Sequence, residues 1–239
     1  MEVVQLKKLY SILAAIMLVA LGVTGCGSSE NFVDKSEIQN NSTDDTSSEE
    51  KITDNDNTES LDNDDNSENE GDLLSGTYNV KMTVKDYGDI ELELYADKAP
   101  ITVTNFIGLV KEGFYDGLTF HRIISGFMAQ GGDPEGTGLG GSDTTIKGEF
   151  SANGVENDIS HERGVISMAR SSDFDSASSQ FFIMHADNAG LDGQYAAFGR
   201  VTKGMEVVDK ICEDAKPVDG NGTISADEQP VIESITVIE

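Results

Sequence analysis

Positive charge is scarce in this chain. Sixteen Lys and Arg stand against 44 Asp and Glu, a formal net charge of −28. Nucleic acid and anionic lipid would both be repelled, so neither is expected as a ligand. Histidine is scarcer still, with three residues in 239. Neither His161 nor His185 has a second His or Cys at ligand spacing, and no metal is expected. A long apolar run is missing as well, because the stretch from Leu9 to Val23 is short for a membrane span, which takes about 20 residues. A nucleophile is also lacking where one would be sought. The stretch TFHRIISGFMAQGGD at 119–133 gathers His121, Arg122, Phe127, Met128 and Gln130 between glycines, with no serine, cysteine or carboxylate arranged beside them as nucleophile or base. Such a stretch suits a site without covalent chemistry.

Composition changes along the chain and divides it. Lys7 and Lys8 followed by the apolar run form the n- and h-regions of a secretory signal, expected over 1–25. It ends in Val23, Thr24, Gly25, Cys26, which resembles the lipobox of bacterial lipoproteins and implies a diacylglycerol on Cys26. An ordinary cleaved signal with a chance cysteine, or an uncleaved anchor, is the alternative. Two acyl chains suffice for stable anchoring. Acylation would leave only Cys212 and no intramolecular disulfide. Cys212 continues the apolar stripe of GMEVVDKICED and reads as a buried, inert thiol. The segment 26–75 is expected to be a lipidated cysteine and an acidic linker. Between Gly27 and Asp72 it carries sixteen carboxylates, two lysines and hardly an apolar residue. It cannot bury enough surface to fold, and as a flexible coil it would span roughly 35–40 Å.

From Gly76 to the end the pattern is that of a folded domain, expected over 76–239. TYNVKMTV and DIELELY alternate apolar and polar residues around KDYGD, a predicted hairpin. Val103, Phe106, Ile107 and Val110 share one helix face, with Pro100 near the start and Gly113 just past the end. Short strand-like runs follow in LTFHRII, GFMAQG, GVISMA, QFFIMH and AAFGRVT; then come a second helix from Met205 to about Glu213 and a last strand, VIESITVI. Many short strands with two helices predict an all-β barrel or sandwich. DGNGTISADE at 219–228 has Ile224 where a calcium loop needs its turn glycine and Pro230 where it needs its glutamate, and reads as a polar surface loop.

FHRIISGFMAQGGD, with GTG at 136–138, GVISMAR at 164–170, SSQFFI at 178–183 and LDGQYAAFGRV at 191–201, resembles the cyclophilin family of peptidyl-prolyl isomerases in order and spacing. DSASSQFFI and ADNAGLDGQY resemble its bacterial branch. The resemblance implies a closed eight-stranded antiparallel barrel capped by two helices, with the site on its outer face, no cofactor, and Pro-containing polypeptides as partners of a monomer. It implies a catalytic role for Arg122, an apolar proline pocket of Phe127, Met128, Phe182, Leu191 and Tyr195, and a glutamine, Gln130, that orients the arginine. Ala169, Arg170, Ser171 and Gln180 match the rim where the residues before proline lie; at Arg170 the implied contact is made by backbone groups, leaving the side chain less constrained. Taken singly, Phe127, Met128 and Phe182 read more readily as core than as ligand contacts; only their block context reverses that. His121 reads as a packing and hydrogen-bonding residue, since rotation about an amide needs no proton transfer.

Two positions depart from animal members of the family: Tyr195 replaces a histidine, and Gly190 replaces a tryptophan associated with cyclosporin binding. With the lipobox, the resemblance points to a foldase of exported proteins, lipid-anchored on the extracytoplasmic face of a bacterial membrane. The alternative is a peptide-binding or chaperone module that uses the same groove without turnover. A solute-binding lipoprotein would need a larger two-lobed domain.

Overall fold

The computed structural model describes residues 73–238; the signal, Cys26 and the linker up to residue 72 lie outside the described residues. The first hairpin pairs β1, Thr77–Val84, with β2, Gly88–Tyr95, in unbroken register. Its alternation puts Val80, Met82, Val84, Ile90, Leu92 and Leu94 on one buried face. Asp86 takes a left-handed φ of 64° in the turn, a conformation that aspartate tolerates better than most residues. Helix α1, Pro100–Lys111, starts on its proline and buries Val103, Phe106, Ile107 and Val110 as the spacing predicts.

Ala99 gives α1 no side-chain cap. Glu149 replaces it from far along the chain, its carboxylate accepting from the amides of Ile101 at 3.0 Å and Thr102 at 2.7 Å. A carboxylate there satisfies two of the helix's free donors and complements its dipole.

The remaining strands are β3, Thr119–Ile124; β4, Met128–Asp133; β5, Val165–Met168; β6, Phe181–Met184; β7, Ala197–Lys203; and β8, Ile232–Ile238. Helix α2, Met205–Asp214, lies between the last two. All eight strands form one antiparallel sheet in the order β3-β4-β6-β5-β7-β2-β1-β8. The closed barrel expected from the sequence is not formed. The sheet curls, and its edge strands β3 and β8 share no ladder. They meet at one bridge, Thr119 to Val231, with hydrogen bonds among Gly117, Leu118, Phe120, Pro230 and Ile232. Pro230 accepts from Phe120 but has no N–H to return, so the ladder stops there. Farther along, β3 bonds instead to residues 222–224.

The curled sheet has no empty lumen. Phe106, Phe120, Phe181 and Phe198, with Tyr115, fill its inner face, with ring centroids 5.0–6.1 Å apart in mostly edge-on contacts. A second, smaller apolar cluster of Met128, Val165, Phe182, Met184 and Ala197 forms separately. Its members alternate in sequence with inner-face residues (Ala129, Ile166, Phe181, Ile183 and Phe198), so it occupies the opposite, outer face. Any apolar binding site here is therefore external.

Candidate active site

Arg122 reaches the outer face through paired irregularities. Phe120 pairs with Gly131 and Arg122 with Gln130, leaving His121 as an extra residue in β3. The bulge shifts the side-chain phase, so that Phe120 and Ile123 both enter the core although they are three apart, while Arg122 emerges beside Gln130. Gly132 is the matching extra residue in β4. It has φ +85°, and a Cβ there would meet the Ser179 carbonyl at 2.6 Å, so the position needs glycine on both counts.

The guanidinium is fixed on two sides. Nε donates to the Asn221 carbonyl at 2.8 Å, and Nη1 to Gln130 Oε1 at 3.1 Å. Nη2 has no partner among the described residues. Gln130 Nε2 donates to Gln180 Oε1 at 2.9 Å, and Gln180 Nε2 to the Gly140 carbonyl at 2.7 Å. Gly140 belongs to a loop gathered around buried Asp133, which accepts from the amides of Glu135 and Thr137 at 2.8 and 2.9 Å. Burial raises the Asp133 carboxyl, but these and further backbone donors outweigh it and hold the group below the usual carboxylate range. Partial burial lowers the Arg122 pKa against the attraction of Tyr195 and Asp219; an arginine nevertheless stays charged.

Beside the guanidinium lies a cavity of about 220 Å³. Phe127, Met128, Phe182, Leu191 and Tyr195 form its apolar wall, and Arg122, Gln130, Ala169 and Arg170 complete the lining. It is smaller than drug-sized sites of about 300–1,000 Å³ and suits one residue. Phe182 and Tyr195 stand edge to face at 5.8 Å. A second hollow of about 240 Å³ shares Gln130, Ala169 and Arg170 with the first and adds Ser171, Gln180 and Leu139. All eleven residues predicted for catalysis and substrate binding thus lie on one connected surface. A larger hollow of about 610 Å³ between α1 and residues 134–144 has no cationic or imidazole group in its lining.

Three expectations need correction. The Arg170 side chain is not loosely held: its guanidinium carbon lies 4.7 Å from the Tyr195 ring centroid, 4.8 Å from Phe174 and 5.2 Å from Phe150, while its nitrogens donate to the carbonyls of Gln194 and Ser171 at 2.9–3.0 Å. Three aromatic faces and two loop carbonyls hold it in place. The loop at 219–228 is not only a polar surface loop. Asp219 accepts from the amides of Asn221 and Thr223, and this turn aims the Asn221 carbonyl at Arg122 while Ile224 is buried. His121 packs, at 3% exposure, but neither ring nitrogen has a hydrogen-bond partner among the described residues. Burial lowers its pKa, opposed by Asp133 and aided by Arg122.

Sequence reasoning missed two supports. Asn221 is 99 positions from the arginine that it holds. His161 stacks on Phe182, centroids 6.0 Å apart and planes 18° from parallel, with its nitrogens 3.0 Å from Asp192 Oδ1 and Ser167 Oγ. The Asp219-Gly-Asn pattern signals a turn, but nothing local signals what that turn touches.

The family model described as cyclophilin type peptidyl-prolyl cis-trans isomerase/CLD matches residues 79–237. The chain belongs to this family and is a peptidyl-prolyl cis-trans isomerase. It is 50% identical over 123 residues to peptidyl-prolyl cis-trans isomerase B of Bacillus subtilis, covering 52% of this chain and 82% of that one. With a peptidyl-prolyl cis-trans isomerase of Helicobacter pylori it shares 46% identity over 144 residues, covering 59% and 84%. A crystal structure of a Cryptosporidium parvum cyclophilin-type isomerase, determined in the presence of the dipeptide Ala-Pro, superposes with a TM-score of 0.60 at 30% identity, over 67% of this chain and 99% of that one. The curled sheet of this isomerase is the cyclophilin fold.

Proposed function

We propose that the 220 Å³ cavity takes the proline ring of a Pro-containing polypeptide and that Arg122 is the catalytic residue. The observation that carries this reading is the guanidinium beside the cavity, braced at Nε and Nη1 and with no partner for Nη2 among the described residues. Rotation about an X-Pro bond breaks no covalent bond; it must overcome an amide barrier of about 18–20 kcal/mol. The barrier exists because the prolyl nitrogen gives its lone pair to the carbonyl. A donor aimed at that nitrogen holds the lone pair back and stabilises the twisted state more than either planar one. The apolar wall strips water from the amide and so disfavours its charge-separated planar form. Ala-Pro accompanies the related Cryptosporidium protein, which supports a proline-containing substrate.

Arg122→Ala should lower kcat and kcat/KM together, about ten- to a hundredfold for the loss of a charged hydrogen bond of about 1.5–3 kcal/mol. Arg122→Lys should recover little of this. Exchange NMR on a labelled Ala-Pro peptide reads turnover and affinity at once. If Arg122→Ala weakens binding and leaves the exchange rate of bound peptide untouched, the chain uses Arg122 for docking and the catalytic assignment fails.

The same proposal places the enzyme outside the cytoplasmic membrane, with residues 1–25 as its signal, a lipid on Cys26, an acidic linker to residue 75, and exported polypeptides as its substrates. The lipobox-like Val23-Thr24-Gly25-Cys26 supports this. Cys26→Ala should release the protein from the membrane fraction or leave an unprocessed precursor. A variant that stays membrane-bound at mature size would refute it.

A further inference from the structure

Phe127 forms one wall of the cavity from an exposed turn, Ile124–Phe127, whose internal bond runs from the Phe127 amide to the Ile124 carbonyl at 2.9 Å. Ser125 and Gly126 are exposed, and Gly126 has φ +78°. Ile124 and Phe127 pack against the outer apolar cluster, but the tip of the turn between them does not, so hydrogen bonds from outside the turn fix that tip and bear on where Phe127 stands. His185, at the end of β6, supplies them. Its amide donates to the Phe127 carbonyl at 2.8 Å, and its ring Nδ1 accepts from the Gly126 amide at 2.8 Å. A backbone N–H needs an acceptor, so Nδ1 carries no proton and the neutral ring has its hydrogen on Nε2. Nε2 lies 3.2 Å from Asp209 Oδ1, an oxygen with no well-aligned hydrogen bond among the described residues.

We propose that His185 is the positioning residue for the Phe127 wall and that its ring, which holds the tip of the turn at Gly126, does so only as a neutral imidazole. A second proton can enter only at Nδ1. The imidazolium then faces the Gly126 N–H donor to donor, and that bond is lost. Asp209 on α2 would pair with the imidazolium. Arg163, from the turn before β5, already spends its charge on Asp209 at 2.7 Å and donates to the His185 carbonyl at 2.7 Å. Asp187 accepts from the Arg163 amide at 2.7 Å, Cys212 lies buried near Asp209, and residues 124–128 carry no titratable group. Protonation thus exchanges the turn's anchor for an ion pair with α2, and the pocket wall loosens.

The inference rests on reading the 220 Å³ cavity as the proline pocket, but its first test does not. In a ¹⁵N titration of the full chain from pH 8 to 5, the Gly126 amide should move with the same midpoint as the His185 ring. Adding an Ala-Pro peptide should move that midpoint to lower pH, because binding and proton release are reciprocal. Kinetically, exchange NMR at each pH should show the wild-type KM for the peptide rising severalfold as pH falls, with kcat within about twofold. His185→Asn keeps an oxygen acceptor without the titration, so it should hold the high-pH KM throughout. His185→Phe, which has no acceptor, should show the raised KM at every pH. His121 and His161 are common to all three proteins and cancel in the comparison. A Gly126 amide that does not titrate with His185, or one shared pH profile for the three proteins, overturns the proposal. A peptide that leaves the His185 midpoint unmoved while Gly126 still titrates counts against the pocket reading and not against the anchor.

Discussion

Replacing Arg170 with alanine probes a contact that the resemblance alone left slack. The guanidinium lies 4.7 Å from the centre of Tyr195, the pocket residue, and ties the Gln194 carbonyl to the Ser171 carbonyl. A cation over a partly exposed ring contributes about 0.5–1 kcal/mol, and an exposed tie between two loops about 1 kcal/mol more. If that sum, about 1.5–2 kcal/mol, reaches the pocket, kcat/KM falls between about twelvefold and thirtyfold. If the cavity takes the proline as proposed, Arg170 braces a wall that meets the ring in ground and twisted states alike, so the loss should fall on KM with kcat nearly unchanged. Arg170→Lys should behave like alanine, because a point charge cannot lie flat among three rings while reaching both carbonyls. Exchange NMR on an Ala-Pro peptide separates the two constants, and a thermal melt checks that the fold survives. An unchanged KM, or a drop confined to kcat, would show that Arg170 does not set the pocket wall.

Two further predictions follow from burial and from the turn at 189–191. Burial lowers the pKa of both His121 and His161 in the folded state, opposed by Asp133 at the first and by Asp192 at the second. The unfolded chain therefore binds protons first as pH falls, and the stability that these residues contribute is full above the ordinary histidine value of about 6.5 and is lost below it. Tm should drop between pH 7 and 5, and His121→Leu should shrink the drop without a matching loss at pH 8, since its unpaired ring nitrogens stabilise nothing; an unchanged slope would refute this. Gly190→Trp should tighten cyclosporin binding about five- to a hundredfold for a contact of about 1–3 kcal/mol, measured by calorimetry. An added Cβ meets only Asn188 Oδ1, at 3.0 Å, so a small shift of that cap admits it; an unchanged Kd would refute the gain.

Much of the fold was legible because its signals are local. Alternation in TYNVKMTV and DIELELY, the four-residue stripe of α1 and its flanking Pro100 and Gly113 each act within a few residues, and the strands and helices stand where those patterns put them. The family was legible because five blocks preserve its order and spacing. Contacts set by register were not legible. Glu149 caps α1 from 47 positions away, Asn221 braces Arg122 across 99, and His161 supports Phe182 from another strand's approach. The bulge at His121 changes which face Arg122 takes, although TFHRII reads as an unbroken strand. Pro230 stops the seam between β3 and β8 only because the curled sheet brings it opposite Phe120. Propensity and hydrophobic pattern are properties of neighbours in sequence, so they determine the elements. Which carbonyl meets a guanidinium, and whether a sheet closes, depends on how those elements settle on one another, and only the tertiary structure decides that.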